Sequence, residues 1–522
     1  SLLTGVYPHY PDRFVNFSAY ASKDCPEAIP LSGWFTKNGY HTVSDGKVFH
    51  HMSDHAASWS EPPYRNHPDG YDVYWAEYNK WELWMNSESG KTINPKTMRG
   101  PFCESADVPD TADFGDSVCG PGRPIGDMDN REKQTVINEA LGEFLHVMMW
   151  RRSLHQHPEL SFEEHRTSKV VAEALQHEGI EYRSVAGTGV LARIEGTKAC
   201  VGRERDALVL RADMDALPIA EATGLEFASV HKGVMHACGH DMHTAILLGA
   251  LKILNRHRDL FCGTVFGLFQ PGEELNPGGA SLVMRERPFD GYRVAAFVGQ
   301  HVEPMLKTGT FGFRRGKYMA SSDELRFRVN GVGGHAALRE RIKDPVRAAA
   351  ELIRLLYDIP AANPSPELPT IGEECVLSVG RVQADGATNV VPDRTFMEGT
   401  MRTFDETWRR RVKEMVHEAA AEVDARFGVS TEVDINHGYP CVYNDEELTR
   451  RVESATAGLF GEDAVISLGL RPTAEDFGYY TLEYPSVYYR LGVGGDGAYF
   501  DSRSAGRIHT GTFRPDEKAL RY

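Results

Sequence analysis

Thiol, imidazole and carboxylate groups recur in this chain in patterns that suit a divalent metal ion. Cys238 and His240 stand two residues apart in "HACGHDMHTA". Glu273 and Glu274 close the run "FGLFQPGEE", His301 follows "AAFVGQ", His509 lies in "RIHTGTF", and Asp213 and Asp215 end "LVLRADMD". Imidazole and thiolate suit zinc and other borderline metals, and carboxylates extend the choice to manganese. Two adjacent ions need several donors and a shared anionic one, which a thiolate or carboxylate can supply. A water held there becomes acidic enough to attack a carbonyl. Adjacent glutamates at a strand end diverge, so one of Glu273 and Glu274 can bind metal while the other faces the substrate and carries a proton. Each residue alone has a plainer explanation. A lone cysteine is usually a small buried hydrophobe, a glutamate pair is usually solvated, and a histidine packs or caps. Their recurrence after successive strand-like runs points to one shared site. His231, His236 and His243 stay open between packing, capping and ligation, while Cys200, Cys262, Cys375 and Cys441 read as ordinary. The run "GVGGDG" lacks the Lys-Ser/Thr ending of a phosphate loop, and there is no GxSxG nucleophile turn.

Such residues need elements to bring them together. "EALGEFLHVMMWRRSLHQHPE" and "HTAILLGALKILNRH" have helical apolar spacing, while "DALVLRADMDALPI" and "GTVFGLFQPGEE" read as buried strands that break into acidic loops. Strand–loop–helix alternation predicts an α/β sheet domain, with its chemistry at the strand ends. Residues 321–436 change rhythm. "DELRFRVNG", "ECVLSVGRVQA", "RTFMEGTMRTF" and "STEVDINHG" read as strands. "DPVRAAAELIRLLYDI" reads as a helix capped by Asp344 with Pro345 at its first position. "ETWRRRVKEMVHEAAAEVDARFG" reads as a longer one, with Trp408, Val412, Met415, Val416, Ala419, Val423 and Phe427 on one face and Gly428 as its stop. The order is βαββαβ, a compact sheet with both helices on one face. It reads as an inserted second domain, after which residues 437–522 return to the first sheet.

Length and composition bound the rest. A chain of 522 residues is too long for one ordinary core, and 41% hydrophobic with 25% charged residues is the profile of a soluble globular protein. The formal net charge of −17 and the lack of a basic stripe make nucleic acid and anionic membranes poor partners. No apolar run spans a bilayer. The 8 cysteines are scattered with no CxxC pair, which favours a reducing, cytoplasmic setting over a disulfide framework. The chain starts at Ser1 with no Met and no signal-like segment, as a fragment, processed form or trimmed chain would. Residues 1–117 are rich in Tyr, Trp, His and Pro, and a Gly/Pro/Asp-rich connector over 118–140 precedes the regular patterning.

From about residue 141 to 522 the sequence resembles the metal-dependent amidohydrolases that include hippurate hydrolases, N-acyl-amino-acid deacylases and auxin-conjugate hydrolases, within the aminoacylase and carboxypeptidase superfamily. The resemblance is carried by "RRSLHQHPELSFEE", "LRADMDALPI", "HACGHDMHTA", "FQPGEE", "GQHVEP", "GGHAA", "ATNVVPDRTFMEGTMRTF", "AEDFGYY" and "IHTGTFRPDE". It implies an α/β catalytic domain over 141–320 and 437–522 with an inserted lid over 321–436. It also implies two divalent ions, zinc or manganese, held by Cys238, His240, Glu274, His301 and His509, with Cys238 bridging. Glu273 is then the general base and proton shuttle. His335 lies on the lid and steadies the oxyanion, often in a partner subunit's site. Asn389 and Arg402 lie near the substrate carboxylate, which a guanidinium grips as a fork. Asp215 orients a ligand histidine, and Asp213 does the same or is structural. A homodimer through the lid and a small N-acyl amino acid as substrate follow from the same resemblance.

Residues 1–112 resemble a piece of the iduronate-type sulfatases, on "SLLTGVYPHYPDRFVNF", "IPLSGWFTKNGYHTVSDGKVFHH" and "SWSEPPY". The cysteine and arginine that begin the block ending in "SLLTG" in that family are missing, as are the acidic metal ligands of its first strand, so Lys47 and His50, which match its sulfate-site positions, have nothing to act on and no sulfatase activity is expected. The rival to a hydrolase is a catalytically silent fusion in which this fragment serves as an interaction or blocking module.

Overall fold

The structure is a computed structural model that describes residues 130–362, 375–495 and 507–522. The sulfatase-like stretch, with Lys47 and His50, lies outside the described residues. The first elements are α1 (Asn130–Gln156), α2 (His165–His177), β1 (Glu181–Val185), β2 (Gly189–Glu195), β3 (Asp206–Asp213) and α3 (His240–Arg256). Then come β4 (Thr264–Gln270), α4 (Gly279–Glu286), β5 (Arg293–Glu303), β6 (Phe311–Phe313), β7 (Gly316–Met319), β8 (Asp323–Asn330), β9 (Gly334–His335) and α5 (Pro345–Asp358). After these follow β10 (Cys375–Gln383), β11 (Val390–Val391), β12 (Arg394–Thr403), α6 (Glu406–Phe427) and β13 (Ser430–His437). The chain closes with β14 (Val442–Asn444), α7 (Glu446–Phe460), β15 (Val465–Ser467), α8 (Gly478–Thr481) and β16 (Ser486–Gly492). Helix α1 starts inside the stretch read as a connector over 118–140, so residue 141 marks no structural break.

The main sheet has eight strands in the order β1-β2-β4-β3-β5-β16-β6-β15. Its centre, β4-β3-β5-β16, is parallel. Those strands are apolar on both sides, and β4 is buried at every position, because helices and loops cover both faces. One face packs Leu247, Leu248 and Leu251 of α3 with Val147 and Trp150 of α1. The other packs Val283 of α4 and Tyr480 of α8 around Phe297. From β3 the chain passes out to β4 and then crosses back to β5 on the far side of β3. A crevice opens beyond the carboxyl ends of strands where such a reversal occurs.

A second, fully antiparallel sheet runs β10-β12-β8-β13. Strand β8 alternates buried and exposed as a one-sided sheet requires. Helices α5 and α6 fill its buried face through Leu352, Leu356, Val412 and Val416 against Leu325 and Phe327. The Asp344 side chain accepts from Val346 N at 2.9 Å and Arg347 N at 3.1 Å, ahead of Pro345. Gly428 ends α6 at φ 67°, a conformation that glycine adopts without strain. Met415 and Phe427 are only partly buried on that face. The chain then returns to the main sheet through β15 and β16. Among the described residues no helix is long and apolar enough to cross a membrane.

Candidate metal centre

The segment before α3 sets the geometry. Gly239 has φ 93°, and a Cβ there would lie 2.5 Å from Val302 Cγ2, so only glycine lets Cys238 and His240 turn inward together. His240 opens α3 with Nδ1 against Asp215, at 2.9 Å from the carbonyl and 3.2 Å from Oδ1. That leaves its Nε2 buried with no hydrogen-bond partner. His301 Nδ1 donates to the Val302 carbonyl at 2.7 Å, leaving Nε2 3.2 Å from Cys238 Sγ. The strand continues through His301 to Glu303, so this histidine lies within β5 rather than after it. Glu273 and Glu274 sit in the loop after β4. Glu274 N–H donates to Asp215 Oδ2 at 2.9 Å, while Glu274 Oε1 is buried without a hydrogen bond. His509 Nε2 lies 3.1 Å from that oxygen, an ion pair when the ring is protonated. His509 ends no strand. It has φ 62°, and its N–H donates to the Ala237 carbonyl at 2.8 Å.

The donor atoms of Cys238, His240 and His301 lie within 4.8 Å of one another, and so do those of Cys238, Glu274 and His509. The five residues expected as ligands thus form two groups that share Cys238. A buried lone pair without a hydrogen-bond partner, as on His240 Nε2, is costly unless something completes it. Thiolate, imidazole and carboxylate together fit a divalent transition metal. These groups also shift one another's affinity for protons. Burial and the Glu274 carboxylate push the Cys238 thiol up, whereas Cys238 and Glu274 raise His509 to about 10. Burial, aided by Arg490, drives His301 well below its usual value, which leaves Nε2 a free base.

The other histidines separate. His243 donates from Nδ1 to Asp213 Oδ1 at 2.6 Å and accepts from Val302 N–H at Nε2 at 2.9 Å, so it has no lone pair left for a ligand role. His231 Nδ1 meets the Pro158 carbonyl at 2.9 Å. His236 is buried with both ring nitrogens unpartnered, and burial lowers it to about 4, which makes it a neutral core residue.

Glu273 is buried beside the cluster, and burial together with Glu475, Glu274 and Asp476 raises its carboxyl well above the usual range. Behind it stands a charge network the sequence reading missed. Arg211 donates to Asp213 Oδ2 at 2.6 Å, Gln270 Oε1 at 2.9 Å, Glu475 Oε1 at 3.1 Å and Asp476 Oδ1 at 2.8 Å. Burial and Glu475 outweigh Arg211 and lift Asp476 to about 8. The signal was there in "AEDFGYY", whose two acids precede an aromatic run.

Arg402 is half-buried on β12, and its side chain makes no hydrogen bond or ion pair among the described residues. It lines a cavity of about 510 Å³ together with Glu274, His509 and Tyr439. His335 and Asn389 are not brought there. His335 is exposed on β9, paired with Val390 of β11, and the Asn389 carbonyl accepts from Ala336 N–H at 2.9 Å.

The chain is similar to known proteins. Residues 209–504 match the profile of "Peptidase family M20/M25/M40". The chain is 39% identical over 347 residues to an N-acetyl-L-cysteine deacetylase of Bacillus subtilis (strain 168), covering 66% of this chain and 80% of that protein. It is 41% identical over 321 residues to an N-acyl-L-amino acid amidohydrolase of Geobacillus stearothermophilus, covering 61% and 83%. Among solved structures it is similar to the Bacillus subtilis YXEP protein, described as a dinuclear metal binding peptidase from the M20 family. That match has 34% identity and a TM-score of 0.61, and covers 73% of this chain and 94% of the other. With this match over more than half its length, the chain belongs to the peptidase family M20/M25/M40.

Proposed function

We propose that this protein is a metal-dependent amidohydrolase that cleaves the amide bond of N-acyl amino acids. The observation that carries the reading is the convergence of Cys238, His240, Glu274, His301 and His509, with His240 Nε2 buried and without a hydrogen-bond partner, beside a separate buried glutamate. The acylated amino acids named for the Bacillus and Geobacillus relatives support the substrate class, and the dinuclear description of the YXEP protein supports two ions. Zinc and manganese both suit the donor set.

When bound, such ions polarise the scissile carbonyl and make a water acidic. The chain's own residues do the rest. Asp215 fixes the His240 ring, and its second oxygen holds the Glu274 backbone. Glu273 takes a proton from the attacking water and returns it to the departing amine nitrogen. Its raised affinity for protons suits both tasks. Arg402, free of partners in the adjoining cavity, receives the carboxylate of the amino acid. His335 and Asn389 are exposed away from this cavity, which suits service in the site of a second subunit docked through residues 321–436.

The test is release of free amino acid from N-acetyl and N-benzoyl amino acids by protein loaded with Mn²⁺ or Zn²⁺. Glu273→Ala should lower kcat by roughly 10²–10⁴-fold at unchanged metal content. Equal turnover by the two proteins would overturn the mechanism.

A further inference from the structure

The loop that carries Glu273 out of β4 has no ladder of its own. Its backbone groups are taken one at a time. Gly272 N–H donates to Glu164 Oε1 at 2.8 Å, and the Gly272 carbonyl accepts from Gly279 N–H at 3.0 Å. The Glu273 carbonyl accepts from the Tyr439 hydroxyl, and Glu274 N–H donates to Asp215 Oδ2. Gly272 has φ 58°, and a Cβ there would lie 2.3 Å from the Phe162 ring, so the turn is fixed sterically as well.

Two of these anchors come from far away. Glu164 is fully buried just before α2. Its Oε1 also accepts from Phe162 N–H at 2.9 Å, and its Oε2 from Thr188 Oγ1 at 2.5 Å. One carboxylate therefore joins the segment entering α2, the β1–β2 turn and the Glu273 loop. Phe162 is held at φ 66° within that junction, a strained conformation that surrounding structure must enforce. Tyr439 lies in the connector between β13 and β14. This connector is paired with the one between β7 and β8, since Ser322 N–H donates to the Tyr439 carbonyl at 2.9 Å and Tyr439 N–H to Ser322 Oγ at 3.2 Å. Among the described residues these two connectors carry the chain between the two sheets. Tyr439 and Ser322 also line the cavity that holds Arg402.

We infer that Glu164 and Tyr439 are positioning residues for Glu273, and that Tyr439 ties the Glu273 backbone to the crossing between the two sheets. The inference rests on Glu273 being the proton carrier. Neither residue need touch substrate. Each sets where the Glu273 carboxylate stands, and a displacement of about 1 Å in such a group costs up to about a hundredfold in rate.

The test uses the full chain loaded with Mn²⁺ and compares wild type with Tyr439→Phe, Glu164→Ala and Glu164→Gln. Tyr439→Phe removes one hydroxyl and keeps the ring. Glu164→Gln keeps an acceptor for both backbone N–H groups and can donate to Thr188, whereas Glu164→Ala orphans all three donors. Tyr439→Phe and Glu164→Ala should each lower kcat roughly tenfold. KM should stay within about twofold and metal content unchanged, and Glu164→Gln should recover most of the loss. Independently of activity, hydrogen–deuterium exchange of the peptide containing Gly272, Glu273 and Glu274 should quicken in Tyr439→Phe and Glu164→Ala. If Glu164→Ala fails to fold, Tyr439→Phe carries the test alone. Unchanged exchange in that peptide, or unchanged kcat in folded, metal-loaded variants, overturns the inference. Wild type inactive on every N-acyl amino acid refutes the proposed function instead, and the exchange result still decides the anchoring.

Discussion

Asp215 shows how much one side chain settles at this site. One oxygen aligns His240, and the other accepts from Ser161 Oγ at 2.6 Å and from the Glu274 backbone. Burial pushes its carboxyl up, but the His240 and Ser161 hydrogen bonds more than reverse that, so it stays ionised. Asp215→Asn keeps the shape and loses the charge that makes His240 a strong donor. It should weaken metal binding roughly 10–100-fold, measured by competition with a chromophoric chelator. Equal affinity would remove Asp215 from that role. Residues of this kind differ in how well a sequence announces them. Metal-binding chemistry is open to few residue types, so Cys238, His240, Glu274, His301 and His509 stood out as candidates. Arg211 and Tyr439 did not, because hydrogen bonding is open to most polar residues. Their partners are also distant: Arg211 reaches Glu475 across 264 positions. His243 stayed ambiguous for the same reason, since only its two hydrogen bonds reveal that its lone pair is used.

Among the elements, periodicity and caps carried most of the information. Asp344 with Pro345 marked the start of α5, and Gly428 marked the end of α6, because these residues act on their immediate neighbours. Where the signal lay in packing, the reading slipped. Helix α1 begins well before its apolar stripe becomes regular, and β5 runs past Gln300 because pairing with β16 extends to Glu303. The contact between α1 and α3 is itself partly ionic. Glu143 of α1 receives Arg256 at 2.8 Å and Lys252 at 3.1 Å from α3. Burial pushes the Glu143 carboxyl up, yet His146 and Lys252 outweigh it and hold it at about 2 against an ordinary 4.5. A group held below its unfolded value stabilises the fold above that value, and loses this as pH falls through the folded one. The contribution is therefore intact above about pH 4.5 and fades towards about pH 2. Thermal unfolding followed by circular dichroism should show the midpoint of wild type falling more steeply with acid than that of Glu143→Gln. Parallel slopes would mean that this pair adds no acid sensitivity.

For the molecule as a whole, the site is a concentration of buried polar and charged groups that leaves His240 Nε2 without a hydrogen-bond partner. A ligand that binds only the folded state adds RT ln(1 + [L]/Kd), about 2.7 kcal/mol at a hundred times Kd. Stripping metal with EDTA should abolish activity and lower the unfolding midpoint by a few degrees, on the order expected for such a loss in a large domain. Zn²⁺ or Mn²⁺ in excess should restore both. A midpoint indifferent to chelation would show that metal does not contribute to the fold. The strand order has a consequence of another kind. Strand β16 lies between β5 and β6 in space, yet more than 170 residues of chain separate it from either. The four-stranded sheet, built from one continuous stretch, can close while the chain is still on the ribosome. The main sheet cannot close until its last strand has emerged. During synthesis β5 and β6 therefore wait with open edges, and this interval is when the nascent protein is most exposed to aggregation and most dependent on chaperones.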